Sequence, residues 1–253
     1  MSIPRIVYRN LWRTGTIIAV SSENAQYPAE ETQEDSPQSK WRSASAPSAG
    51  VTIDCDFGAA AEYDFIGILG HNFQPTATIQ MIGADNDAFT TNPVTDTLTY
   101  IGNNIWQALG TARTKRYCRL YVVDVANPAG YISVGSIIVG KAQALDRDYA
   151  PGNEKGYINE TVMEEVPSGV EYITQRRESR AVYAYSFMKL SASAAAIVHA
   201  AMGECGSFQA VALCFDIAAP NGNTLWVKMA SQNLLPSEPY GWWDWGVTLR
   251  EVL

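Results

Sequence analysis

Apolar and polar positions alternate along most of the first 140 residues. Val51, Ile53, Cys55 and Phe57 alternate with Thr52, Asp54 and Asp56, the period-2 pattern of a half-buried strand. Gly58 is expected to end that strand, and a second apolar strand runs into Gly70-His71-Asn72. Further strands are expected at Gly15–Val20, Ala77–Gly83, Arg116–Val125 and Tyr131–Val139. Thr97–Ile101 and Ile105–Leu109 read as an antiparallel pair joined through Gly102-Asn103-Asn104, a glycine-containing hairpin signal. No helix of three turns is expected before residue 145. A row of short strands with turn signals between them predicts a β-sandwich or jelly roll.

The pattern changes after Lys141. Residues 141–168 are polar, with Pro151-Gly152 and Pro167, and read as a boundary or extended arm. Strands are expected at Gly169–Gln175 and Ala181–Leu190, separated by the charged turn 176–180. Ser191–Glu204 carries Ala194, Ile197, Val198, Ala201 and Met202 at helical spacing, with Ser191 as N-cap. Phe208–Ile217 and Thr224–Ala230 read as a hairpin around Pro220-Asn221-Gly222, and Trp245, Val247 and Leu249 alternate in a terminal strand. The expected class is mainly β: a sandwich over residues 1–145, then an α+β domain over 146–253 with one helix on a sheet and an arm at about 146–168.

Composition narrows the function classes. Apolar residues make up 47% of the 253 and charged residues 17%, which describes a globular chain whose low charge suits a surface partly covered by partners. A net charge of −8 argues against nucleic-acid binding, which needs a basic face. No apolar run reaches the roughly 18 residues that span a bilayer. The N-terminal residues lack the apolar region of a signal peptide, so retention in the cytosol of synthesis is expected. Cys55, Cys118, Cys205 and Cys214 lack CxxC spacing and sit in apolar runs, as buried thiols do.

Catalytic chemistry finds little purchase. His71 and His199 are the two histidines, and no serine stands in a Gly-x-Ser-x-Gly elbow. His71 reads as a turn residue and His199 as a helix-face residue. Glu30-Glu31 and Glu164-Glu165 are adjacent acids that point to opposite faces of an extended segment. Asp54 and Asp56 share a strand face with Asp64 nearby. They are either a calcium-ligating set or, preferred, a solvated face. No catalytic residue, cofactor or metal is expected. Tyr240, Trp242 and Trp243, with Trp245, form the most unusual cluster. Such rings suit sugar stacking or a protein interface, or pack over the helix. With His71 and Asn72 they are the candidate glycan or partner contacts.

The long loop from Ser21 to Pro47 contains a second group of signals. Tyr27-Pro28-Ala29, Asp35, Ser39-Lys40-Trp41-Arg42-Ser43 and Asp56-Phe57-Gly58 resemble the pattern of discoidin-type domains, as does the closing stretch Tyr131–Gly140. Ser36 stands where that family has glycine. The resemblance covers about residues 15–140 and implies a jelly roll. In it Trp41 is a buried loop peg and Arg42 ties the loop to carbonyls or to Asp35. Trp41-Arg42-Ser43 followed by Ile66–Asn72 and Ala77-Thr78-Ile79 is similar to bacteriophage tail proteins carrying this module. Residues 155–253 resemble, by element order, the tail-tube-like fold of distal tail and hub proteins, which join sheets edge to edge into rings.

These resemblances imply a non-enzymatic virion protein at the tail tip or baseplate, assembled in the host cytoplasm. It would form a homo-oligomeric ring, hexameric or else trimeric, contacting tail-tube, tape-measure and hub or fibre proteins. Sequence-specific nucleic-acid binding and membrane insertion are not implied. The alternative is a glycan-binding, lectin-like module contacting the host surface. A hydrolase with paired carboxylates is the remaining rival.

Overall fold

The computed structural model describes residues 3–46, 48–151, 153–158, 161–165, 171–175, 179–237 and 241–252. The fold is mainly β, a β-sandwich accompanied by one long helix packed on a sheet. The chain divides into two compact units. The first is Ser2–Ala144 with Ala212–Thr224, and the second is Leu145–Val211 with Leu225–Leu253. The return of residues 212–224 to the first unit was not visible in the chain order.

The first unit contains β1 (Arg5–Val7), β2 (Thr16–Val20), β3 (Trp41–Arg42), β4 (Val51–Leu69), β5 (Thr78–Ala84), β6 (Val94–Leu98), β7 (Asn104–Val123), β8 (Ser133–Val134), β9 (Ile137–Gly140) and β10 (Gln143–Ala144). A four-residue helix, α1 (Leu11–Thr14), and a 3-10 turn at Ala29–Gln33 sit in the connections. The large sheet runs β2-β4-β7-β5-β6, with β9 also on β4. β3 pairs with β8, and β1 pairs with β10. Trp12, Trp41, Ile53, Tyr63, Ile66, Ile68, Ile79, Met81 and Val139 fill one apolar core. Asn10 fastens α1 to it: its Oδ1 accepts from Trp12 N and Val139 N, each at 3.1 Å, and its Nδ2 donates to Ile137 O at 2.8 Å.

Several strand expectations are corrected. Val51–Leu69 is one 19-residue strand. Gly58, at φ 80°, does not end it but sits in a bulge where the register with β7 shifts between Asp56 and Ala61. The expected 97–101/105–109 hairpin does not form. β6 stops at Leu98 and pairs with β5, whereas Asn104 opens a 20-residue strand paired with β4. Side chains link the two instead: Gln107 donates to Thr97 O and accepts from Thr99 N, and Arg113 pairs with Asp96. The stretch 131–139 is broken at Gly135, where a Cβ would fall 2.4 Å from Pro37 O.

The second unit contains β11 (Glu154–Ile158), β12 (Thr161–Glu165), β13 (Glu171–Gln175), β14 (Arg180–Leu190), α2 (Ala192–Cys205), β15 (Ala210–Cys214, whose last three residues pair with β1 in the first unit's segment), β16 (Thr224–Ser237) and β17 (Trp242–Glu251). β17 pairs with β16 and β14, β14 with β11, and β12 with β13, all antiparallel. The terminal strand therefore starts at Trp242, three residues earlier than expected. Ser191 caps α2 by accepting from Ala194 N, and Gly206 at φ 53° ends it. Ala194, Ala195, Val198, Ala201 and Cys205 are its buried face, and α2 lies against β14 and β17. Tyr240, Pro167 and the turn 176–178 lie outside the described residues.

Candidate functional site

Two segments of the first unit, residues 24–27 and 131–133, close on Arg42. Short strand β3 places it, and backbone bonds hold its neighbours. Arg42 N donates to Tyr27 O at 3.1 Å, and Asn24 N donates to Arg42 O at 2.8 Å. On the other side Arg42 stands in register with Ser133. Ser43 N donates to Ile132 O at 2.9 Å, and Ile132 N donates to Ser43 Oγ at 2.8 Å. Trp41, fully buried beneath, anchors the strand in the core.

The guanidinium lies over the Tyr27 ring, 3.8 Å from its centroid, and 5.2 Å from that of Tyr131. Stacked guanidinium groups keep their in-plane N–H donors. Among the described residues no carboxylate pairs with Arg42, and its Nε is buried without a hydrogen-bond partner. Arg42 and both tyrosines are half-buried, so ring edges and donors reach solvent. This corrects the expectation that Arg42 binds carbonyls or Asp35. Asp35 instead accepts from Arg13 Nη1 at 2.6 Å. Short helix α1 brings Arg13 there, and β3 turns Arg42 toward the tyrosines.

Asn72 supports this cluster through Tyr131, whereas His71 packs on Phe73 and Tyr100. Asn72 Nδ2 donates to Tyr131 O at 2.9 Å, and its Oδ1 accepts from Ser133 N at 2.8 Å. That amide fixes the segment carrying Tyr131. His71 is 6% exposed, stacks on Phe73 at 4.3 Å and meets Tyr100 edge-on at 5.9 Å. Its Nδ1 accepts from Phe73 N, leaving Nε2 buried without a partner. Burial first, and then the charge of Lys40, push its pKa down to about 4, so the ring is neutral. Asp124 completes the floor, its Oδ2 accepting from Gln74 N and Asn127 Nδ2, each at 2.9 Å.

Asp54 and Asp56 belong elsewhere. The preferred solvated face is corrected: Asp54 is 3% exposed and takes two hydrogen bonds from Arg119. Asp56 takes two from Arg116, which hold its carboxyl below the usual range. Both carboxylates are engaged by arginines, and no group of three or more His, Cys, Asp or Glu side chains arranged for a metal occurs among the described residues.

The tryptophan cluster lies in the second unit. Trp245 is core, stacked on Phe187 at 5.0 Å. Trp243 is half-buried and meets the exposed His199 of α2 edge-on at 6.5 Å. Trp242, on the opposite strand face, lies under Arg147 at 5.2 Å. These rings are split between two faces and do not form one stacking platform.

No protein-family model matches the chain, and no curated protein matches it. Solved structures similar to part of it include chitosan-binding module 1 of a chitosanase/glucanase from Paenibacillus sp. IK-5, at 21% identity over 52% of this chain and 98% of that one, with a TM-score of 0.42. A family 32 CBM of C. perfringens NanJ, in complex with galactose, is 14% identical over 54% and 98%, with a TM-score of 0.43. A Streptococcus pneumoniae fucose binding module is 12% identical over 52% and 94%, with a TM-score of 0.42.

Proposed function

We propose that the first unit is a non-catalytic carbohydrate-binding module whose ligand touches Arg42, Tyr27 and Tyr131. The observation that carries this is a guanidinium lying over two tyrosine rings with no acid paired to it among the described residues. Exposed ring edges and convergent donors of this kind can hold sugar hydroxyl groups. Backbone bonds to Tyr27 and the Asn72 clamp on Tyr131 set the three side chains before any ligand arrives. Asp96, Asp85, Asp56, Asp54 and Glu62 are engaged in ion pairs with Arg113, Lys115, Arg116, Arg119 and Lys141. A glycan array probed with the full chain tests the reading. Binding should be lost in Tyr27→Ala with an unchanged melting temperature. An array without signal sinks the proposal.

A second reading is supported by the second unit, that of a tail-tip or baseplate ring protein of a tailed phage, hexameric or trimeric. β11 is an edge strand of its sheet, and every residue of it is exposed, Tyr157 at 62%. Open edges of this kind pair with another chain unless they are protected. Rings seen by electron microscopy, and a light-scattering mass of several subunits, would support this role, and a monomer at all concentrations would end it. The two readings are compatible, since a ring can carry a glycan-binding module on each subunit.

A further inference from the structure

We infer that the sugar bound at Arg42 carries a carboxylate, so that the module selects acidic glycans over neutral ones. This inference rests on the carbohydrate-binding reading and narrows its ligand. The first ground is local charge. Arg42 and Lys40 stand two residues apart around β3, and neither forms an ion pair among the described residues. The whole chain carries a net charge of −8, yet three acids near this loop are engaged elsewhere. Asp35 belongs to Arg13, Glu23 accepts from Ala29 N at 2.6 Å, and Asp124 is buried beneath Gln74 and Asn127. Two cations thus stand without an ion-pair partner among the described residues of an acidic protein.

Geometry is the second ground. With its face on Tyr27, the guanidinium offers a planar fork of terminal N–H donors. Such a fork matches the two oxygens of a carboxylate and takes them in two parallel bonds, about twice as strong as bonds between neutral groups. A neutral hydroxyl meets only one arm of the fork. Nε is buried, and the terminal nitrogens are not among the buried unpartnered atoms, which leaves them as the donors for a ligand.

The test is titration calorimetry on the full chain with trigalacturonate and 3′-sialyllactose as acidic probes. Carboxyl-reduced trigalacturonate and lactose are their neutral counterparts. At least one acidic probe should bind about tenfold or more tightly than its counterpart, and which one identifies the acid as uronic or sialic. Arg42→Gln should erase that difference. Arg42→Lys, which keeps the charge without the fork, should retain part of it. Equal binding of acidic and neutral probes overturns the inference and leaves the carbohydrate reading standing, as does an array that lights only on neutral sugars. If the array shows no sugar at all, both fall. The wild-type comparison needs no variant, so a failure of Arg42→Gln to fold leaves the inference open to refutation.

Discussion

Asp54 and Arg119 face each other in the β4–β7 register and join through two hydrogen bonds of 2.6 and 2.7 Å. The Phe89 ring lies 4.1 Å from the guanidinium carbon. The Asp54 carboxylate is almost wholly buried, and the Arg119 side chain is 27% exposed. Removing the acid leaves a half-buried cation without its partner. Asp54→Ala should destabilise the protein by about 2 kcal/mol, the scale of charged hydrogen bonds lost in a partly screened site. Asp54→Asn should cost less, because an amide oxygen still accepts. Urea unfolding curves of the variants measure both, and equal stability of Asp54→Ala and the parent would refute the account.

This pair also shows what was legible in the sequence. The alternation over residues 51–57 reveals a strand, but both of its faces are covered, so Asp54 resembled a solvated residue. The partner, Arg119, stands 65 residues away, and only register brings it opposite. Long strand β7 was hidden for a related reason. Arg113 and Lys115 fall between the expected strands 105–109 and 116–125, and Arg116 opens the second of them. They sit inside the strand because Asp96, Asp85 and Asp56 on neighbouring segments neutralise them. Trp41 and Arg42 stand out in the sequence only as loop anchors, and the stacking of Arg42 on Tyr27 has no local signal. The approach of Tyr131 depends on β3–β8 pairing between residues 41–42 and 133–134, which no local signal announces.

Buried, neutral His71 makes stability depend on pH. Its folded pKa, pushed down to about 4 by burial and then by Lys40, lies below the unfolded value of about 6.5. Between these values the unfolded chain binds more protons, so stability falls as pH drops through that window and levels off below it. The full linkage is on the order of 3 kcal/mol. His71→Gln should flatten the melting temperature between about pH 6.5 and 4, where the parent declines. A parallel decline in both proteins would show that other groups govern acid sensitivity.

Gly135 and Gly110 separate close packing from ordinary strand preference. A Cβ at Gly135 would lie 2.4 Å from Pro37 O and 2.9 Å from Leu69 O, both backbone atoms that cannot swing away. Gly135→Ala should therefore cost about 1–3 kcal/mol, as overpacking does. Gly110, in β7, has nothing within 4 Å of its Cβ position. Gly110→Ala should be neutral or stabilising by a few tenths of a kcal/mol, through the lost freedom of the unfolded chain. Thermal melts of the two variants side by side read the contrast, and similar melts would contradict the packing at residue 135.

The four cysteines give a probe of opening that needs no substitution. Cys55, Cys118, Cys205 and Cys214 are free and buried. Burial, and then the charge of Asp56, push the Cys55 thiol up to about 12, and burial raises Cys118 and Cys214 as well. The thiolate is the reactive form, so these groups are inert while the fold is closed. An aromatic disulfide reagent at mildly alkaline pH should label none of them in the native protein within minutes, and all four after denaturation in guanidinium. Cys55 and Cys118 stand opposite each other in the β4–β7 register, beneath the Trp12 and Tyr63 side of the core. Their exposure therefore reports opening of the first unit's sandwich, whereas Cys205 reports release of α2. Labelling followed by mass mapping through a denaturant series would resolve the two events. Fast native labelling of Cys55 would contradict the packing of α1 over that strand.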